Sequence, residues 1–370
     1  IGARDRTDAQ RVAKQSLIIA AIFSAVIALA GPTLGQQIIA LMGTEPAVAQ
    51  LGGSFMSITS LFALSLAVMI IGGGTLRGAG DTRTPMLITG TVNLINILLD
   101  YGLVFGNLGF PRLGAIGSAW ATSLARTIGA VLILYVLFRR SNLIRLDWRH
   151  EWGIRKSTIA RILNIGWPSA AEQIIFQLGF LAFSTIVVGL GTADYAAMQV
   201  AFNIAGWSNL PAFAFGVAAL TLVGQSLGAN DVPRAEASGK QALKNALVWM
   251  CLMGAIFIIW RRQFFALYTG DVAVQNLGTM IMLFIALAQP LQAVAIVLAS
   301  ALRGAGDTRA PMIFTTIGVW GVRVTVGYLL GIVLGLGLFG VWLGWMADFM
   351  TRAVLVWRRY HAGRWKKIRV

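Results

Sequence analysis

The chain has 370 residues, of which 57% are hydrophobic and 12% charged, against about 25% charged in an ordinary soluble domain. Lys and Arg number 30 against 14 Asp and Glu, a formal net charge of +16. The cations sit in short clusters between apolar runs, so the composition excludes a soluble fold, and the charge pattern points to loops facing anionic lipid rather than nucleic acid.

Residues 1–14 are polar and basic and show no signal-peptide pattern. Ten spanning helices are predicted at 15–41, 54–76, 85–106, 114–138, 158–189, 195–226, 241–260, 274–302, 311–333 and 338–357. A crossing needs about 20 mostly apolar residues, and the longer runs must tilt or protrude. The alternation of a membrane barrel is absent. Cys251 lies in an apolar run and is expected to pack as a small residue, with no disulfide or thiolate cluster possible.

The connections 1–14, 77–84, 139–161, 227–244, 303–310 and 358–370 hold 24 of the 30 Lys and Arg. The opposite face holds Arg112, Arg261 and Arg262, while Arg126, Arg323 and Arg352 fall inside spans. The basic face is therefore expected to be cytoplasmic, with both ends of the chain on that side of a cell membrane.

An internal repeat organises these spans. Residues 76–86 read LRGAGDTRTPM and residues 302–312 read LRGAGDTRAPM, identical at ten of eleven positions at an offset of 226. The same offset pairs Asp5 with Asp231, Glu45 with Asp271, Gly114 with Gly340 and Arg126 with Arg352. The spans 158–189 and 195–226 have no counterpart in the first half. The register predicts about 70 further residues, carrying two helices, ahead of Ile1. The expected fold class is an all-α polytopic membrane protein of two pseudo-symmetric six-helix lobes in parallel repeat. The first lobe (1–142) would lack its first two helices, 143–157 would be an interfacial linker bearing Trp148 and Trp152, and 158–370 would be the second lobe with a basic tail.

These loops, with NILLDYGLVFG at 96–106, PRLGAIGSAWAT at 111–122, GWPSAAEQ at 166–173 and LVGQSLGAND at 222–231, resemble the multidrug and toxic compound extrusion (MATE) family of cation-coupled antiporters. The resemblance covers nearly the whole chain. It implies two six-helix lobes forming a V around a central cavity. It also implies export of amphipathic, often cationic compounds, driven by inward Na⁺ or H⁺ flow.

Three acidic residues lie within spans: Asp100, Glu172 and Asp348. Each charge at mid-membrane costs at least about 2.5 kcal/mol, so each must be paired, hydrated or neutralised. Asn96 and Asp100 share a helix face at i,i+4, and their oxygens suit a hard cation. The resemblance implies a first-lobe cation site at this pair, joined by Ser118 or Thr122 and by an Asp expected ahead of Ile1. The alternative is a salt bridge from Asp100 to Arg126. Glu172 follows Pro168 near mid-depth with no arginine in evident reach; it can attract a cation, take up a proton, or stay neutral between helices. Gln173, Gln177, Gln199, Asn203 and Gln289 are the candidate lining of a substrate cavity, the alternative being amides that bond helix to helix. Arg323, Asp348 and Arg352 read as a self-satisfied structural cluster.

The RGAGDTR loops read as tight hairpins, closed by Gly78 and Gly80 or Gly304 and Gly306 and capped by Asp81 or Asp307, the alternative being a gating latch. No cofactor is implied beyond the coupling ion, and no metal site beyond transient Na⁺ at Asp100. The expected partners are an amphipathic or cationic small molecule and the bilayer, not nucleic acid, with the chain acting as a monomer. Two other readings remain: a flippase for lipid-linked saccharides, and a membrane enzyme. The enzyme reading suffers because His150 and His361 lie in basic segments and no nucleophile–base pair occurs within the spans.

Overall fold

The computed structural model describes residues 5–41, 43–140, 145–147 and 152–368, which form helices and turns with no strand among them. Trp148 and His150 of the expected linker lie outside the described residues. Two compact units divide the chain within one helix, between Ile162 and Leu163. Among the described residues nine helices are long and apolar enough to cross a membrane, and a bent pair supplies a tenth crossing.

The first unit holds α1 (Arg6–Leu41), α2 (Pro46–Leu61), α3 (Ala63–Gly78), α4 (Arg83–Phe105) and α5 (Ala115–Tyr135), with a π-helical turn at Val136–Arg140. The predicted second span is the pair α2 and α3, bent by 50° at Phe62. The local cause is a run of hydroxyls. Ser57 Oγ donates to Gly53 O (2.7 Å), Thr59 Oγ1 to Phe55 O (3.0 Å) and Ser60 Oγ to Ser57 O (2.9 Å). Such back-bonding competes with the helical ladder and bends it. Ser60 also seats against α1, where a Cβ added at Gly31 would lie 1.7 Å from Ser60 Oγ. Only glycine there allows the two helices to approach so closely.

The described part of the linker docks on α1. Gln15 Nε2 donates to Gly153 O (2.9 Å), the Arg155 amide donates to Gln15 Oε1 (3.2 Å), and Trp152 stacks on Phe138 at 6.1 Å.

The dividing helix is α6 (Lys156–Val188). The second unit continues through α7 (Thr192–Gly228), α8 (Val232–Tyr268), α9 (Val272–Gly304) and α10 (Arg309–Thr316). After α10 the chain alternates π-helix (Ile317–Val324), α11 (Thr325–Tyr328) and π-helix (Leu329–Val333) before α12 (Gly337–His361). Helix α9 is the centre of this unit, packed by α7, α8 and α12. Its most apolar stretch is 67% buried, against 17% for α1. The outer faces expose large apolar side chains such as Leu29, Leu41 and Leu210, which suits a lipid surround. Cys251 is on such an outer face of α8, exposed, and not the packing residue expected.

The duplicated loops share one hydrogen-bond pattern. The Asp81 amide donates to Leu76 O and the Asp307 amide to Leu302 O, both at 2.9 Å. Gly80 and Gly306 take positive φ (98° and 84°), whereas Gly78 and Gly304 do not. This is the left-handed helix end that glycine favours. The capping roles diverge. Asp81 Oδ1 accepts from the Thr84 amide (3.0 Å), but Asp307 Oδ2 accepts from Arg359 Nε (2.8 Å) at the end of α12. The basic tail folds back there as well. Trp365 is fully buried, stacks on Tyr360 at 5.0 Å, and is followed by Lys366, whose Nζ lies 2.6 Å from Glu236 Oε2.

Candidate functional site

Inside the second unit a cavity of about 470 Å³ opens between α6, α7, α9, α10 and α12. Helix α6 contributes Ser169, Glu172, Gln173 and Phe176, spaced at three and four residues so that they share one face. Helix α9 contributes Gln292, Ile296, Ser300 and Arg303 with the same logic. Asn209 and Phe213 come from α7, Phe314 and Thr315 from α10, and Phe349 and Arg352 from α12.

Glu172 is not unpaired. Arg303 reaches it from the end of α9, with Nη2 donating to Oε1 (2.7 Å) and Nε to Oε2 (3.3 Å), and Thr315 Oγ1 also donates to Oε1 (2.9 Å). Helices α6 and α10 run side by side in parallel, fixed by Arg309 Nη2 to Asn164 Oδ1 and by Trp320 Nε1 to Ile175 O, each 3.1 Å. Glu172 is thus level with Thr315, about 9 Å along the axis from the start of α10 at Arg309. It lies toward the basic end of the lobe because the first turns of α6 protrude beyond the start of α10. Its partner Arg303 belongs to the RGAGDTR loop, read from the sequence as a tight hairpin or a gating latch.

Behind the cavity wall Asp348 accepts from two arginines. Arg323 Nε donates to Oδ2 (2.9 Å), and Arg352 donates from Nε to Oδ1 (2.6 Å) and from Nη2 to Oδ2 (2.9 Å). Asp348 is completely buried and Arg323 is 2% exposed. The π-helical stretch carries Arg323 inward. Gly318 on the same stretch leaves room for the cluster, since a Cβ there would lie 2.2 Å from Asp348 Oδ1. The guanidinium of Arg323 also faces the rings of Phe176, Phe183 and Phe349 at 5.5–5.9 Å.

In the first unit α4 and α5 pack antiparallel, with Asn96 Nδ2 donating to Thr122 Oγ1 at 3.5 Å. Asp100 lies one turn further along α4, and its buried Oδ1 has no hydrogen-bond partner among the described residues. The same register sets Ser118 opposite Asp100. The alternative pairing with Arg126 fails. Arg126 lies one turn beyond Thr122 in the opposite direction, which separates the two residues by about 12 Å along the axes. No ion pair of Arg126 is present among the described residues, so it is not one of the structural pairs.

Residues 1–102 and 168–329 match the family described as MatE. Over 375 aligned residues the chain is 32% identical to the probable multidrug resistance protein NorM of Thermotoga maritima, spanning 99% of this chain and 79% of that one. The chain belongs to the MatE family. It is also 30% identical over 355 residues to the multidrug resistance protein NorM of Burkholderia vietnamiensis, spanning 93% of this chain and 75% of that one. Its fold superimposes on a structure described as the outward-facing conformation of a multidrug resistance MATE family transporter of the MOP superfamily. The TM-score is 0.91 at 23% identity, covering 99% of this chain and 82% of that chain. As a MatE protein it is a multi-pass membrane transporter and not an enzyme.

Within this MatE fold the predicted polar residues separate into groups. Gln173 lines the second-lobe cavity, and Gln177 is exposed one turn beyond it. Gln199 and Asn203 sit exposed on α7 and bond along their own helix, Gln199 to Tyr195 Oη (3.1 Å) and Asn203 to Gln199 O (2.9 Å). Gln289 does not line the cavity. It is fully buried and donates to Ser208 Oγ (2.9 Å), joining α9 to α7. The residue that opens to the cavity is Gln292, one turn on. The repeating polar stripe Gln292, Ser300 and Arg303 was the available signal in the sequence; an isolated glutamine such as Gln289 carries none.

Proposed function

We propose that this MatE protein is a secondary active antiporter that exports amphipathic small molecules by alternating access in exchange for Na⁺ or H⁺. The observation that carries the coupling role is the buried, unpartnered Oδ1 of Asp100 beside Asn96 and Thr122. An unsatisfied carboxylate oxygen in a membrane helix is costly unless a cation or proton visits it. The surrounding donor set of carboxylate, amide and hydroxyl oxygens suits a hard monovalent cation. In the second lobe Glu172 is the companion candidate, where proton or ion uptake would compete with Arg303. The names of the relatives, multidrug resistance proteins, support drug-like cargo. On the same ground a saccharide flippase is not favoured. The protein works as a monomer in the cell membrane, with its basic face to the cytoplasm as the distribution of Lys and Arg directs.

The test is dye efflux from proteoliposomes under imposed Na⁺ or pH gradients. Gradient-driven export should appear with one of the two ions and fall at least about tenfold in Asp100→Asn. Export that is unchanged in Asp100→Asn removes the first-lobe site. Absence of gradient-driven export for every amphipathic dye removes the antiporter reading.

A further inference from the structure

The walls of the second-lobe cavity carry an unbalanced charge. The Glu172 carboxylate is saturated by Arg303 and Thr315. On the facing wall Arg352 shares Asp348 with Arg323, so one carboxylate serves two guanidiniums and a single positive charge is left over. Arg352 reaches the cavity, and its Nη1 has no protein partner among the described residues. Gln292 is 4% exposed, makes no hydrogen bond among the described residues, and also lines the cavity. Polar groups that border the cavity without a protein partner are available to whatever enters it.

The aromatic faces point the same way. A cationic compound would be held by ring faces, and of the four rings that line the cavity those of Phe176 and Phe349 already face arginines. The Arg352 guanidinium stands 4.4 Å from the centre of Phe349, and Arg323 faces Phe176 and Phe349. Phe213 and Phe314 remain as apolar walls. A positive charge entering the cavity meets an uncompensated arginine in a medium that screens poorly, whereas a negative charge completes the pairing.

We propose that the second-lobe cavity is a subsite for the anionic end of an amphipathic aromatic compound, with Arg352 as its counter-ion and Gln292 as its hydrogen-bonding neighbour. The inference rests on the transporter reading and narrows its substrate class: the cargo carries a carboxylate or sulfonate, alone or within a zwitterion.

Two xanthene dyes of similar size and opposite charge test it: fluorescein, an anion, and rhodamine 6G, a cation. Fluorescence anisotropy is measured on the whole chain in phosphatidylcholine nanodiscs. Fluorescein should bind at least about tenfold more tightly than rhodamine 6G. Arg352→Gln should weaken fluorescein by a similar factor and strengthen rhodamine 6G, while Arg352→Lys keeps most of the anion affinity. Glu172→Gln, which removes the carboxylate on the opposite wall, should tighten fluorescein. Arg352→Gln leaves the neutral pair Arg323–Asp348 in place; if it fails to fold, Gln292→Leu and the comparison of the two dyes decide. Preference for rhodamine 6G, or fluorescein binding indifferent to Arg352 and Gln292, overturns the proposal. Efflux of both dyes separates the two readings. Export of rhodamine 6G without binding or export of fluorescein removes only the anion subsite. Binding of fluorescein with no export of any dye removes the antiporter.

Discussion

Asp348 holds two guanidiniums where water does not reach, and Arg323 has no other charged partner. Asp348→Ala should therefore destabilise the protein by about 3–5 kcal/mol, because it leaves a buried arginine uncompensated. Thermal unfolding in detergent reads this loss. The triple change Arg323→Met, Asp348→Leu and Arg352→Gln, which removes the charges together, should recover most of it. The cluster was legible in the sequence because its members sit at i,i+4 and at matching depth on neighbouring spans. The pair Glu172–Arg303 was not, since its members are separated by 131 positions and Arg303 stands in a loop that reads as lipid-facing.

At the scale of elements, the spans are legible because hydrophobic length is a direct demand of the bilayer. The break at Phe62 is not, since residues 54–76 hold no charged residue and no proline to mark it, and the bend arises from three hydroxyls bonding backward. The junction of α1 and α2 depends on one missing side chain. Gly31→Val should disrupt it at a cost of about 1–3 kcal/mol, and Ser60→Gly in the same chain should restore part of the loss by clearing the contact. Retention of a single sharp peak in detergent size-exclusion chromatography after heating distinguishes the two variants. The tail offers a second test. Glu236 lies in the second turn of α8, ahead of the apolar stretch that begins at 241. Hydrogen bonds from Lys240 and Lys366 hold its carboxyl down at about 2, below the ordinary 4.5. Its contribution to docking the tail is complete above pH 4.5 and is lost as the pH falls from there toward 2. Protease cleavage beside Trp365 should rise across that window and already be high at neutral pH in Glu236→Gln.

For the whole molecule, the repeat offset was the most informative reading. It placed two loops that share the same hydrogen bonds to Leu76 and Leu302. It could not foresee that Asp307 would leave its capping role for Arg359, because that partner comes from the far end of the chain. Orientation follows from charge and is open to direct labelling. In a Cys251→Ala background, Val272→Cys should react with a membrane-impermeant maleimide in intact cells, and Ala237→Cys only after permeabilisation. The reverse pattern would invert the topology.

The gapless register between the two loops has a practical meaning for protein engineering. Since 76–86 and 302–312 differ at one position and fold alike, they are interchangeable parts, and either can be transplanted into the other lobe without adjusting length. Whatever asymmetry survives such an exchange must come from what each loop touches, chiefly Glu172 and Arg359 in the second lobe. A reciprocal transplant amounts to Thr84→Ala with Ala310→Thr, so the lobes keep their differences through the surroundings of the loops and not through the loops themselves.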